Sequence, residues 1–343
     1  MKSISKTTGI FFSIFVFSLF LLVISLISQR ACEIIHVQVC QRIRTLLSNV
    51  TSALPFSVFE LSVFLSPFFI AVTLKYIARG EQDSKFRFYK VLSLLSLFAS
   101  LYILTLGISY KSPSLFSKYG KSVSAGDLII TANTLKEAVN YESEFITDES
   151  NFYSICEDAL TAFERASQKH GLAPGKLPRP KPLISSKLVS YTGALAIYSF
   201  PTGEININVN VPTYTMPFTV LHELGHSRGV AGETDANFLA YLTSLESESH
   251  ILRYSASLSI LEYILADIRK TDYDAFTRCF EGLSERAQAD INSWHRYSEK
   301  YQKSMLFRAF DYSNTRHLER WDKNGTAAYS AVSVYVTNYL RSA

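Results

Sequence analysis

Three long apolar stretches dominate the first third of the chain. Residues 7–29 and 91–110 contain no charged side chain, and a stretch at about 56–77 carries Glu60 near its start. An α-helix needs about 20 apolar residues to cross the hydrocarbon core of a bilayer. The first stretch is longer than the apolar core of a cleaved signal peptide. The Glu60 carboxylate lies near the end of its stretch, where it can sit at the bilayer surface. The pattern therefore predicts a membrane domain over residues 1–111, with spans at about 8–28, 56–77 and 90–110.

The segment between the first two stretches, residues 33–50, has a helical rather than a uniform distribution of apolar residues. Ile35 and Val39 fall on one helical face, and Arg42 and Arg44 fall on the opposite face. Such a helix lies in the plane of the interface, with its apolar face toward the lipid. We therefore expect an interfacial helix at about 33–50.

Basic residues near the spans predict the orientation of the chain in the membrane. Two lysines precede the first span, five basic residues lie between Lys75 and Lys90, and three arginines lie between the first and second spans. Loops rich in Lys and Arg stay in the cytoplasm. The N-terminus is then cytoplasmic and the chain after the third span is extracytoplasmic in a multi-pass protein of the cytoplasmic membrane, although three lysines after that span, Lys111, Lys118 and Lys121, oppose this orientation.

Residues 112–343 predict a second, mostly helical domain with a small β-sheet, so that the fold class is α+β. Segments with the hydrophobic periodicity of helices and segments with that of strands follow one another along this domain, and a proline-rich connection lies at 174–182. Helices are expected at 133–147, 151–170, 249–270, 272–301 and 326–341, and strands at 183–189, 194–200 and 204–211. The last of these strands alternates Ile and Val with Asn, which is typical of a half-buried strand. It is either an ordinary sheet strand or one whose edge holds an extended peptide.

The pentapeptide His222-Glu-Leu-Gly-His226 carries the candidate chemistry. On a helix, two histidines four residues apart project from one face and can reach the same ion, and Glu223 can touch a water on that ion. Two His ligands with an open position are the start of a catalytic zinc site. The metal lowers the pKa of the water, and the glutamate takes the proton as the oxygen attacks a carbonyl.

The residues after the pentapeptide contain two candidates for a third metal ligand. Gly229 is placed to end the first helix in a left-handed conformation, and a second helix is expected to begin near Gly232. Glu233 in its first turn is the expected third ligand, with Asp235 as the alternative, and both carboxylates also suit a helix N-terminus. Asn237, four residues after Glu233, is expected to hydrogen-bond a ligating histidine from behind.

The run MPFTVLHELGHSRGVAGETDANFLAYL resembles the zincin metallopeptidases, in the branch with a Glu-x-x-Ala-Asp/Asn helix for the third ligand. The closer resemblance is to an uncharacterised bacterial family of polytopic membrane proteins with a predicted zinc-peptidase domain. The segments LPFSVFEL, SYTGALAIYSFPTGEININ and LRYSASLSILEYIL extend it over most of the chain. The resemblance implies a zincin-like fold over 112–343 and Zn²⁺ chemistry, but no particular substrate. Asn237 stands where related peptidases often have Asp, and Gly232 stands where another zincin branch has a third His.

The remaining composition narrows the alternatives. A formal net charge of +4, scattered along the chain, gives no basis for nucleic-acid binding. The four cysteines have no metal-binding spacing; Cys156 and Cys279 could pair, but two buried free thiols are expected. A zinc peptidase also needs a donor for the developing oxyanion, for which the sequence offers four candidates: Tyr191, Tyr254, His295 and Tyr297.

Two functions of different classes remain. The first is a membrane-anchored zinc peptidase that acts on a peptide or protein, with His222, His226 and Glu233 as ligands and Glu223 as general base. The second is a non-catalytic envelope protein in which the metal stabilises an interaction scaffold. Glu223 favours the enzyme, because a scaffold does not need a base beside an open metal position.

Overall fold

The fold is described from a computed structural model that covers residues 6–78, 84–147, 151–322 and 331–342. The chain divides into two units, and each unit contains two separate segments of the sequence. Unit 1 contains residues 1–113 together with Ser199–Glu204, and unit 2 contains Ser114–Tyr198 and Ile205–Ala343. The sequence predicted one boundary, between residues 111 and 112, and did not anticipate the separate segment at Ser199–Glu204.

Among its described residues, unit 1 contains three helices that are long and apolar enough to cross a membrane. They are α1 (Lys6–Ile27), α4 (Val58–Ala78) and α5 (Ser84–Tyr102), the last of which continues through a π-helical turn at Ile103–Gly107 to a 3-10 turn ending at Lys111. Large apolar side chains along all three are exposed, for example Phe64 and Phe68 on α4. The prediction of three apolar helices of membrane-spanning length is confirmed.

The segment expected as an interfacial helix consists of α2 (Gln29–Ile35), a π-helical turn at His36–Cys40 and α3 (Gln41–Ser52). Its buried face differs from the prediction, because Arg44 is only 1% exposed whereas Leu46 and Val50 are largely exposed. The Arg44 guanidinium donates hydrogen bonds to the Thr105 carbonyl and the Ser109 hydroxyl, at 2.8 and 2.9 Å. A buried charge requires such partners, and sequence periodicity alone did not reveal that the third apolar helix supplies them.

The segment Ser199–Glu204 is held in unit 1 by backbone and ring contacts. The Glu204 carboxylate accepts the N–H groups of Val58 and Phe59 at 3.0 and 2.8 Å, and so caps the first turn of α4. The Phe200 ring packs edge-on against the rings of Phe98 and Tyr102 on α5. The segment is therefore an integral part of unit 1 although it lies almost 90 residues farther along the chain.

Unit 2 is mostly helical with a small three-stranded sheet. Its helices are α6 (Ala125–Ser143), α7 (Phe152–Lys169), α8 (Ser186–Ser190), α9 (Thr215–Ser227), α10 (Glu233–Leu245), α11 (His250–Thr271), α12 (Tyr273–Glu281), α13 (Glu285–Tyr301), α14 (Met305–Trp321) and α15 (Ala331–Ser342). The sheet consists of β1 (Lys181–Pro182), β2 (Ala196–Ser199) and β3 (Glu204–Ile207), in the order β1-β3-β2. β1 runs parallel to β3, with Lys181 opposite Asn206. The mostly helical α+β class is confirmed.

The expected strands were too long, and one of them was wrong. Residues 186–190 form the short helix α8, in which the hydroxyl of Ser186 donates to the carbonyl of Leu183 and so favours a turn over a strand. The Asn side chains of the last strand do not face solvent, because Asn206 and Asn208 are as fully buried as Ile205 and Ile207. Asn208 Nδ2 donates to the Ala194 carbonyl at 2.9 Å, so this side chain ties the strand to the preceding loop.

Several helices also begin or end at residues other than the predicted ones. α6 begins eight residues earlier than expected because Ser124 and Asp127 form a capping box. The expected helix at 272–301 is two helices, with Gly282 after the first and Ser284 capping the second. The start expected for the last helix, at 326, lies outside the described residues. The apolar core of unit 2 forms where α11 packs against α6, α9 and α10, and the large side chains buried in it include Phe163, Phe238, Tyr254, Leu221 and Leu239.

Candidate metal centre

The helix that carries the pentapeptide is α9, and a neighbouring helix helps to start it. Pro217 lies in its first turn, where a missing N–H costs nothing. The hydroxyl of Thr215, the first residue of α9, donates to the Pro212 carbonyl and does not cap the helix. The cap comes from α11 instead, where the Ser255 hydroxyl accepts the N–H of Phe218 at 3.0 Å. This cap fixes the start of the helix on which His222 and His226 lie.

The turn between α9 and α10 places the third candidate ligand. α9 ends at Ser227, and Gly229 follows with φ +82°, the left-handed conformation expected from the sequence. α10 begins at Glu233 with Gly232 as its N-cap residue. The N–H of Glu233 donates to the Asp322 carboxylate at 3.0 Å. Because this bond fixes the first residue of α10, the Glu233 side chain returns toward α9.

His222, His226 and Glu233 meet at one point. His222 Nε2 lies 3.2 Å from one carboxylate oxygen of Glu233, and His226 Nε2 lies 3.7 Å from the other. One ligand atom from each of the three lies within 4.8 Å of the others. Asp235, the alternative third ligand, instead accepts a hydrogen bond from Ser114 at 2.7 Å. The structure thus brings Glu233, and not Asp235, to the two histidines.

The outer nitrogens of both histidines have partners that fix their tautomers. His222 Nδ1 lies 2.8 Å from the side-chain oxygen of Asn237, and His226 Nδ1 lies 2.7 Å from the Val230 carbonyl. Both partners can only accept, so each Nδ1 carries the proton and each Nε2 keeps its lone pair. Asn237 therefore occupies the supporting position that the sequence predicted for it, and both lone pairs point toward Glu233.

This donor set fits a zinc ion. Zinc binds His nitrogen and carboxylate oxygen at about 2.0–2.2 Å in a tetrahedron, which separates neighbouring ligand atoms by roughly 3.4 Å. The two Nε2–carboxylate separations, 3.2 and 3.7 Å to different oxygens of Glu233, are close to that value, and one atom of each residue lies within 4.8 Å of the others. Three protein ligands leave one tetrahedral position for water or substrate, which is the pattern of catalytic rather than structural zinc sites.

Glu223 lies beside the three candidate ligands and is not part of the converging set. It is only 7% exposed, and its Oε2 has no hydrogen-bond partner among the described residues. Burial raises the pKa of Glu223 to about 7, opposed by the charge of His226 and by a backbone hydrogen bond from Tyr198, and reinforced by Glu233. A buried carboxylate oxygen without a partner is costly, so this atom is placed for a group that the protein itself does not provide.

A sixth residue, His317 on α14, lies within electrostatic range of the same cluster. Burial acts to raise the pKa of Glu233, but His222, His226 and His317, when protonated, lower it overall. Burial lowers the pKa of His317, and the Glu233 charge acts against that change. The Asp322 carboxylate, five residues after His317, accepts the N–H of Glu233 at 3.0 Å, so the end of α14 lies close to Glu233. Sequence reasoning missed His317, because no spacing links residue 317 to the pentapeptide.

The oxyanion donors suggested by the sequence have other partners or positions. The Tyr254 hydroxyl donates to Asp290 at 2.7 Å, and that of Tyr297 lies 3.4 Å from Asn208. The Tyr191 ring packs against Tyr301, and His295 is exposed on α13. The four cysteines are free and buried, as expected for Cys156 and Cys279.

Comparison with known proteins gives one match. The family described as "Protein of unknown function (DUF3810)" matches residues 36–336, which include all of the site residues named above. No curated protein and no solved structure matches the chain significantly. The chemistry of the site must therefore be inferred from its own residues.

Proposed function

We propose that this chain, which belongs to the family of proteins of unknown function DUF3810, is a zinc-dependent peptidase anchored in a membrane. One observation carries the proposal: a buried carboxylate oxygen without a partner, on Glu223, lies beside three side chains whose free donor atoms converge. The convergent set accounts for metal binding, and the neighbouring carboxylate accounts for catalysis. Zinc, when bound, lowers the pKa of a coordinated water and polarises a carbonyl group.

The residues of the chain divide the remaining work. His222 and His226 present neutral Nε2 atoms because Asn237 and Val230 accept the protons on the opposite nitrogens. Glu233 adds one negative charge and completes the three protein ligands. All three side chains are no more than 14% exposed, which limits competition from bulk water and strengthens the electrostatic interactions.

Glu223 acts as the general base. Its Oε2 accepts a proton from the attacking water and returns it to the amine that leaves the cleaved peptide bond. The N–H of Tyr198, in β2, hydrogen-bonds the same carboxylate and so holds its orientation. A raised pKa favours the return of the proton, and the positive charge of a bound metal would make the carboxylate a weaker base and bring its pKa back toward the ordinary value.

The location of the enzyme follows from unit 1. The three apolar helices support insertion into the lipid bilayer, and the distribution of Lys and Arg supports a cytoplasmic N-terminus with residues 112–343 outside the cytoplasmic membrane. A reporter fused after Ala343 is then active only outside the cytoplasm, and one inserted between Arg79 and Lys85 only inside. The opposite pair of results would place the peptidase in the cytoplasm.

The substitution Glu223→Gln tests the proposed activity. It keeps the size of the side chain but removes the base, so zinc content stays near one ion per chain while hydrolysis falls roughly hundredfold to ten-thousandfold. The measurement uses the full-length protein in detergent, with metal analysis and proteomic profiling of cleaved peptides for wild type and variant. Full activity of Glu223→Gln with zinc bound would instead support the non-catalytic scaffold.

A further inference from the structure

The helix that carries His317 also carries an exposed apolar stripe on the same side. Helical spacing places four residues along one flank of α14. Phe310, Ser313 and His317 follow Leu306 by four, seven and eleven positions, which are whole numbers of helical turns to within a small angle. Leu306 is 61% exposed and Phe310 is 46% exposed. Apart from His317, this stripe has no side chain that can carry a charge.

α14 is attached to the rest of unit 2 at both ends, which leaves this stripe uncovered between them. At its start, the Ser304 hydroxyl donates to the Tyr191 carbonyl at 2.7 Å, and Phe307 packs so closely on Gly193 that a Cβ there would lie 2.6 Å from the ring. At its end, Leu318 is buried and Asp322 accepts the N–H of Glu233. The second attachment brings the end of α14 to Glu233, the first residue of α10.

We propose that α14 forms a wall of the substrate site, along which Leu306 and Phe310 bind apolar side chains of an extended peptide whose reacting bond lies beside His317. The proposal rests on the peptidase function above and adds a substrate class to it: peptides or protein segments with apolar residues at a fixed distance from the cleaved bond.

The rise per residue of a helix and of an extended peptide gives the distance between the apolar substrate residues and the cleaved bond. Along a helix, Phe310 lies about 10 Å and Leu306 about 16 Å from His317 at 1.5 Å per residue. An extended peptide rises about 3.3 Å per residue. The two side chains would therefore contact substrate residues about three and five positions from the one beside His317. Alternate residues of an extended chain point the same way, so both contacts can form with one strand.

The continuity of the stripe favours a peptide over a lipid surface as its occupant. Met305 is 85% exposed, more than Leu306 or Phe310, and it lies on a different flank of α14 from Leu306. A surface that merely contacted lipid would use Met305 at least as much as Phe310. A peptide that extends from His317 would use Phe310 and Leu306 and leave Met305 in solvent.

A binding experiment separates these possibilities. The full-length Glu223→Gln protein in detergent is titrated into two fluorescein-labelled ten-residue peptides of equal charge, one with Leu at alternate positions and one with Ser, and fluorescence anisotropy is recorded. We expect the Leu peptide to bind about tenfold or more tightly than the Ser peptide. Adding Phe310→Ser or Leu306→Ser should abolish most of that difference, and the matched control Met305→Ser should preserve it.

Two outcomes would overturn the proposal: equal binding of the two peptides, or an equal loss of binding in Met305→Ser and Phe310→Ser. Hydrolysis of the same peptides by the otherwise wild-type protein is measured separately. Selective binding without hydrolysis would contradict the peptidase function and retain the binding wall. Hydrolysis that Phe310→Ser leaves unchanged in both KM and kcat would retain the peptidase and overturn the wall, since a lost apolar contact raises KM.

Discussion

Among the described residues of unit 2, two clusters join histidine to a largely buried glutamate, and they differ in what surrounds the contact. In the first, His222 and His226 face Glu233 through Nε2 atoms at 3.2 and 3.7 Å. In the second, His250 Nδ1 lies 2.7 Å from the carboxylate of Glu142. Distance alone would rank the second cluster as the tighter contact.

The partners of each group reverse that ranking. Arg253 donates from two nitrogens to the two oxygens of Glu142, at 2.7 and 3.1 Å, and the Phe145 ring stacks on His250. This cluster is satisfied by the protein itself and already holds a fixed positive charge, which disfavours a cation. A His–Glu contact therefore indicates a metal site only when the tautomers direct free lone pairs to one point and no protein cation fills it.

The largest expected effect that tests this comparison is the loss of the third ligand. Glu233→Ala removes a carboxylate from the converging set, and we expect zinc affinity to fall by roughly a hundredfold or more, because the site would keep two protein ligands. Asp235→Ala, two residues away, should leave it nearly unchanged, because Asp235 bonds Ser114. Competition with a chromogenic chelator measures both variants, and exchanged phenotypes would show that the turn after Gly229 is placed in the wrong register.

A smaller effect is expected from Asn237→Ala. The substitution removes the acceptor that holds His222 in the tautomer with Nε2 free. Loss of such a supporting bond usually costs about tenfold to a hundredfold in metal affinity or activity. The conservative variant Asn237→Asp, which still accepts, should restore affinity. Equal weakening by Ala and Asp would mean that Asn237 contributes only to packing.

The second cluster should affect stability without affecting zinc. Glu142→Gln leaves Arg253 without its carboxylate partner, and we expect the free energy of unfolding to fall by roughly 1–3 kcal/mol, less than for a fully buried pair because Arg253 retains some exposure. Chemical denaturation gives the stability, and chelator competition under native conditions should give an unchanged zinc affinity. A parallel loss of zinc would show that the two clusters are coupled.

How far the sequence could predict the site depends on the range of the contacts that build it. His222, Glu223, His226, the turn at Gly229 and Glu233 lie within twelve residues, where helix periodicity and capping chemistry apply directly. The Ser255 cap on α9 and the Asp322 bond to Glu233 join residues 37 and 89 positions apart. Spacing cannot reveal such contacts, and His317 was missed for the same reason.

The fold shows the same dependence on range. The three apolar helices follow from composition over about 20 residues, which requires no tertiary information. The burial of Arg44 and the inclusion of Ser199–Glu204 in unit 1 each depend on a partner at least 60 residues away in the chain. The buried Asn206 and Asn208 were expected on a solvated face, because alternation shows that two faces differ and does not show whether both are covered.

Metal analysis of three purified full-length proteins tests the central claim most directly. The double variant His222→Ala/His226→Ala removes both nitrogen ligands of the proposed site, whereas His250→Ala removes the histidine of the satisfied cluster. We predict about one zinc per chain in the wild type and in His250→Ala, and none in the double variant, with all three proteins folded by circular dichroism. A full complement of zinc in the double variant, or no zinc in the wild type after equilibration with the metal, would contradict the account.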